Sequence, residues 1–195
     1  MIKAERRDKK LIIEILTNSF EDNQSVNYII KQGINRDRRI RELMSYSFEI
    51  CYTFGAVYLS NNRKGCALVL YPDKKKFSLS STWLDIKLVI NAIGITRAGK
   101  AMTRESVIKA NYPKELIYYL WFLGVKNDDQ NNGIGSELLK ELIKDSQEQQ
   151  RAIYLETSTL KNIPWYKKND FTIYNELDFG YKLFLLNRKA EIPAI

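Results

Sequence analysis

Gln130-Asn131-Asn132-Gly133-Ile134-Gly135-Ser136 follows the apolar run from Leu116 to Val125 and leads into Ile134, Leu138, Leu139, Leu142 and Ile143, which repeat at helical spacing. A continuous apolar and aromatic run of this length reads as a central strand covered on both faces. The order is therefore strand, polar loop, two glycines, helix. The first N–H groups of a helix have no internal partner and lie on a dipole that favours anions. Gly133 and Gly135 allow the backbone to approach a phosphate without an intervening Cβ. Asn131 and Asn132 tolerate left-handed geometry, so successive N–H groups can converge as a nest. No Lys-Ser/Thr pair follows Gly135, which excludes a Walker loop, and the three spaced glycines of a dinucleotide fingerprint are missing. On local spacing alone, a phosphate cradle and a ligand-free strand-to-helix connection remain equally open.

Outward from this turn the chain reads as one mixed α/β domain over residues 1–195. Residues 3–20 predict an amphipathic helix through Leu11, Ile12, Ile15, Leu16 and Phe20, and 36–52 a second through Ile40, Leu43, Met44 and Phe48. Residues 54–60 and 65–71 are short apolar runs around Asn61-Asn62-Arg63-Lys64, a hairpin signature. Trp83 to Ile95 reads as a largely apolar helix and Arg104 to Tyr112 as a short one. Residues 152–157 predict a buried strand, 162–169 a short helix with Asn162 as cap and Pro164 in its first turn, and 171–174 with 180–186 two closing strands.

The 195 residues carry 31 Lys+Arg against 23 Asp+Glu, a net +8. Residues 1–76 hold 15 of those cations against 9 acids, so the excess is concentrated in the first half. Such a surplus suits an anionic ligand or nucleic acid. No nucleic-acid motif accompanies it, and Arg36, Arg38, Arg39 and Arg41 read as a solvated helix face. The longest apolar stretch outside the strands falls short of the roughly 20 residues that span a bilayer. Two cysteines, Cys51 and Cys66, have no metal-ligand spacing, and with no secretory leader the expected compartment is the cytoplasm. Histidine is absent, which removes Cys-His and Ser-His arrangements and most zinc sites, so no metal is expected.

Gln-x-x-Gly-x-Gly after an apolar strand resembles the acetyl-coenzyme A motif of the GNAT superfamily of N-acetyltransferases. Tyr154-Leu155-Glu156-Thr157-Ser158, then Asn162-Ile163-Pro164-Trp165-Tyr166 and Phe171, resembles its puromycin N-acetyltransferase-like branch, where Leu-Glu-Thr-Ser leads into Asn-x-Pro-Phe-Tyr. The likeness covers an acyl-coenzyme A core of about 116–186, is vaguer over 1–76, and does not extend to an insertion at about 77–112. Asn131 stands where the family often has glycine, and Asp170 where it usually has glycine before Phe. Both residue types accept positive φ.

The resemblance implies a three-layer fold whose central mixed sheet is splayed and flanked by helices. It implies acetyl-coenzyme A in that gap, its pyrophosphate on Gln130, Asn131, Asn132, Gly133, Ile134, Gly135 and Ser136. Backbone groups of Leu123, Gly124 and Val125 would meet the pantetheine and the thioester oxygen. By its motif position Tyr166 is the candidate acid for the departing thiolate, or else a packed helix tyrosine. Glu156 is the candidate base in a chain without histidine, or else a carboxylate at a solvated strand end or paired with a lysine. Asn162 either meets the pantetheine or caps its helix; Lys167 and Lys168 either approach the 3′-phosphate or are plain surface charges. The expected reaction moves acetyl to a primary amine, with a small-molecule acceptor and a monomeric or homodimeric enzyme. Protein acetylation and a non-catalytic coenzyme A-binding domain stand as alternatives. Early helices over about 20–52 would build the acceptor pocket, and Trp83 to Ile95 would either wall it or complete the core.

Overall fold

In the computed structural model, which describes residues 1–76 and 78–190, the chain runs β1 (Ile2–Lys3), α1 (Lys9–Ser19), α2 (Gln24–Ile29), α3 (Arg36–Phe54), β2 (Gly55–Leu59), β3 (Gly65–Leu70), α4 (Leu79–Leu88), α5 (Ile95–Ala110), β4 (Ile117–Val125), α6 (Ile134–Glu148), β5 (Ala152–Thr157), α7 (Ile163–Lys167), β6 (Thr172–Asp178) and β7 (Lys182–Arg188). The strands form one sheet in the order β1-β2-β3-β4-β5-β7-β6. Only β4 and β5 are parallel; the other neighbours are antiparallel.

Helices cover both faces, as the apolar run in β4 requires. On one face Ile12, Ile15 and Leu16 of α1 and Met44 and Phe48 of α3 pack with Leu68, Tyr119 and Phe122. On the other, Leu138, Leu139 and Leu142 of α6 pack with Val69, Tyr118, Leu120 and Ile153. The expected three-layer α/β architecture is the one observed.

Two irregularities shape the centre of the sheet. The β3–β4 register slips between Leu68 and Val69, which face Phe122 and Leu120, so Trp121 is an extra residue on β4. Such a bulge puts two successive side chains on one face, and Trp121 and Phe122 both join the α1/α3 core. In addition, β4 and β5 pair only at Ile117↔Ala152, Tyr118↔Ile153 and Tyr119↔Tyr154. Past Tyr119 they part, β4 staying on β3 and β5 on β7. A gap opens between Leu120–Val125 and Leu155–Thr157.

Some boundaries differ from the sequence reading. The first helix begins at Lys9, because Glu5 and Asp8 cap each other (Glu5 N–H to Asp8 Oδ2, 2.8 Å) and Ile2–Lys3 pairs with β2 instead. Arg63 holds the Asp8 carboxyl below its ordinary pKa through a hydrogen bond. The helix α2 was not expected: it buries one apolar side chain, Val26, too few for a period, and stands on the Asn23 cap (Val26 N–H to Asn23 Oδ1, 3.1 Å). In the insertion, a π-helical turn at Val89–Ile93 and Gly94 at φ 83° end the first helix, and the second starts at Ile95 rather than Arg104.

Gly55 starts β2 against the backbone of β3: a Cβ there would sit 2.0 Å from the Val69 carbonyl oxygen. Gly55→Ala must push two core strands apart, and is expected to destabilise the fold by about 3 kcal/mol or more. Chemical denaturation would measure this, and a wild-type midpoint would refute it.

Candidate functional site

The turn between β4 and α6 has the expected conformation. Gly133, the N-cap of α6, lies at φ 80° and ψ −10°, and Asn131 reaches φ 64°; Asn132 keeps a negative φ. Asp170, the other substituted glycine position, also lies at φ 64°. Nothing lies within 4 Å of where a Cβ on Gly133 would stand, so space remains over the turn for a ligand. Ile134 is buried and anchors the helix start, while Gly135 faces Val125 and Leu123. Trp165 Nε1–H donates to Ser136 Oγ (2.9 Å), tying α7 to the first turn of α6. Gln130 braces the loop from outside, its Nε2 donating to Asn127 Oδ1 (3.2 Å) and, more weakly, to the Val125 carbonyl (3.4 Å).

Along β4 the ladder decides which groups face the gap. Lys126 N–H donates to the Lys64 carbonyl (2.9 Å). Alternation along an antiparallel pair then turns Gly124 toward β3, and Leu123 and Val125 toward the gap. The Val125 carbonyl there accepts from Ser19 Oγ (2.8 Å) at the end of α1. Donors in the gap are thus backbone N–H groups held by a sheet, rigid before anything binds.

The gap is one cavity of about 900 Å³, at the upper end of small-ligand pockets. It runs from the α6 turn, past Leu123–Val125 and Asn162, to Tyr166 and Glu156, and then to Asn23, Ser25, Val26, Leu43, Arg104 and Trp121. Every residue of the expected site lines it except Asn132.

Glu156 lies on β5 two residues past Tyr154, the partner of Tyr119, whose hydroxyl reaches across to donate to Glu156 Oε1. No described residue engages Oε2, which is shielded from solvent, so neither the solvated carboxylate nor the lysine pair is observed. Burial raises the Glu156 pKa; Arg104 and the Tyr119 hydrogen bond oppose this without cancelling it. An elevated but titratable carboxyl suits a general base. Tyr166 is buried on α7, and burial alone pushes its phenol well above its ordinary pKa. It stays protonated and its hydroxyl has no partner among the described residues.

The Asn162 side chain makes no capping hydrogen bond; α7 follows directly on a 3₁₀ turn at Leu160–Asn162, and the expected cap is not formed. Lys167 and Lys168 lie outside the cavity and Lys161 lines it, a lysine the sequence did not single out. No residue from Trp83 to Ile95 lines it either. Trp83 is 65% exposed, and the insertion reaches the cavity through Arg104 and Glu105. Asn23 and Ser25 belong to the 20–52 segment expected on the acceptor side, whereas Arg104 and Trp121 were missed, since they meet the others only in three dimensions. Among the described residues no group of three or more side chains is arranged to hold a metal ion.

Residues 88–173 match the acetyltransferase (GNAT) domain family. Among solved structures, the histone acetyltransferase HPA2 and related acetyltransferase from Corynebacterium glutamicum superposes with a TM-score of 0.76 at 19% identity, over 100% of this chain and 97% of that one. The C-terminal condensation domain of Ebony, in complex with beta-alanyl-dopamine, has a TM-score of 0.70 at 13% identity over 96% of each chain. Arylalkylamine N-acetyltransferase 2 from Aedes aegypti has 0.62 at 13%, over 97% and 98%. With the splayed β4–β5 pair and the glycine turn already in place, residues 88–173 are similar in sequence to the acetyltransferase (GNAT) domain, and the chain shares its fold with these acetyltransferase structures along its whole length.

Proposed function

We propose that the protein is an acetyl-coenzyme A-dependent N-acetyltransferase that acetylates a primary amine of a small molecule within a ternary complex. The observation that carries this reading is the gap between β4 and β5, which joins the N-terminus of α6 to a buried carboxylate and phenol. The α6 turn would hold the pyrophosphate, and the N–H groups of Leu123 and Val125 would meet the pantetheine and the thioester oxygen. Glu156 takes a proton from the acceptor ammonium, directly or through water. The free amine attacks the thioester carbon, a C–N bond forms, the C–S bond breaks, and Tyr166 protonates the departing sulfur; the second proton shed by the nitrogen as the amide forms returns through water to Tyr166, and Glu156 releases the first to solvent. Holding both reactants in one cavity supplies the rest of the acceleration.

Amine chemistry is supported by the names of the Ebony and Aedes neighbours, and by apolar walls (Val26, Leu43, Trp121, Phe122) beside the carboxylate. The Glu156–Tyr166 stretch keeps its likeness to the puromycin N-acetyltransferase-like branch, which names no acceptor for this chain.

Gly133→Val tests the donor site. A β-branched residue resists left-handed φ by about 1–2 kcal/mol, and the turn it imposes turns the N–H groups away. Acetyl-coenzyme A affinity by calorimetry is expected to fall at least about tenfold, and an unchanged Kd would remove the pyrophosphate cradle. Thiol release with a panel of primary amines tests transfer; tight binding with no release from any amine would favour a non-catalytic coenzyme A-binding domain.

A further inference from the structure

Four carboxylates line the cavity, and three lie within ion-pair distance of a cation, Asp22 sharing its arginine with Glu21. Asp129 pairs with Lys64 at 2.6 Å, Glu105 with Lys109 at 3.3 Å, and Asp22 with Arg36 at 3.7 Å. Glu156 has none within ion-pair distance among the described residues, and its Oε2 has no partner at all. Arg104 is the complementary case. It is 5% exposed, lines the same end of the cavity, and no described carboxylate lies within 4.0 Å of it. Its Nε–H donates to the Tyr181 hydroxyl (2.9 Å) and Nη2 to Ser25 Oγ, which leaves Nη1 with no described acceptor. Phe179 lies against the guanidinium at 5.6 Å, so the fork is held by α2, α5 and the β6–β7 turn.

Glu156 and Arg104 attract each other across the cavity, but a buried guanidinium with no carboxylate in contact is costly, and so is a buried carboxylate oxygen without a donor. The fold places one of each in one cavity without joining them. From this we propose that the acceptor is an amino acid or a similar zwitterion, with its ammonium group on Glu156 Oε2 and its carboxylate on Arg104. The inference rests on the acetyl-transfer reading of the site and adds the acceptor class. Arg104 acts there as a substrate-binding residue. A planar fork with free donors suits a carboxylate better than a point charge would.

The test compares free amino acids with their methyl esters and with the corresponding decarboxylated amines. Thiol release is expected to show kcat/KM at least about tenfold higher for the free acids, mostly through KM. Arg104→Met is expected to reduce that acid-to-amine preference about tenfold or more, and Arg104→Lys to restore part of it. Esters and amines matching the acids in the wild type would overturn the proposal. So would an Arg104→Met enzyme that slows all acceptors equally while its acid limb moves to higher pH, since Arg104 would then only keep Glu156 ionised. A thermal-shift arm on the coenzyme A-loaded protein needs no turnover: amino acids are expected to raise the melting temperature and their methyl esters not to. Equal shifts would overturn the acceptor class. Loss of acetyl-coenzyme A binding in the wild type would instead defeat the acetyl-transfer reading. Melting curves of both Arg104 variants exclude misfolding as the cause of a lost preference.

Discussion

Glu156→Gln is expected to lower kcat/KM at neutral pH by about a hundredfold and to leave acetyl-coenzyme A affinity near the wild-type value. Positioned acid–base groups contribute roughly 10²–10⁴-fold. Glutamine keeps the volume and can still accept from Tyr119, so the loss isolates the proton-accepting role. The pH profile sharpens the test. Burial raises the Glu156 pKa, so activity should fall as pH drops through a value above the usual carboxylate range, and that limb should vanish in the variant. Stability moves in the opposite sense. A carboxyl whose folded pKa is raised stabilises the fold while protonated, below its unfolded pKa, and loses that contribution as pH rises through the folded one. The Gln variant should therefore melt above the wild type at neutral pH and level with it below about pH 4. Unaltered kinetics with the same acid limb would remove Glu156 as the base.

Tyr166→Phe is expected to lower kcat by about a hundredfold with little change in acetyl-coenzyme A affinity. The ring is buried and packs against Phe171 (5.5 Å) and Trp165 (4.7 Å), contacts that phenylalanine can reproduce. Since no described residue engages the hydroxyl, its removal leaves no protein group unpaired. The raised pKa keeps the proton on Tyr166 throughout the working range, so the loss should be uniform across pH, in contrast to Glu156. Full turnover in Tyr166→Phe would leave the tyrosine as a packing residue. Stopped-flow thiol release would separate slow protonation of the leaving group from slow product release.

The two halves of the site differed in how far the sequence exposed them. The β4–turn–α6 unit was legible because its signals are local: an apolar run, left-handed residue types, and then a helical period. Glu156 and Tyr166 were legible through a motif whose spacing follows one strand and one short helix. Arg104 was not. It sits in a basic helix among Arg97, Lys100 and Lys109, and only contacts with Ser25 and Tyr181, distant in sequence, show it to be buried. Of the two readings of Trp83 to Ile95 the core one holds, with Leu84, Leu88 and Ala92 in the α1/α3 core and Trp83 turned outward, because apolar character does not say which side of a helix meets the core. The same limit hid α2, whose amphipathic pattern is a single valine.

The chain by itself determined that a strand would end in a left-handed turn opening a helix, because Asn131, Gly133 and the helix period act within a few residues of one another. By containing no histidine it also excluded imidazole from any acid–base role. Tertiary structure decided that the turn opens into a cavity. Strand parting after Tyr119, the bulge at Trp121 and the field of Arg104 on Glu156 depend on how β4 packs between two neighbours and two layers of helices. Pairing and burial are properties of residues brought together from far apart in the chain, so their consequences for charge and space arise only when the sheet is assembled.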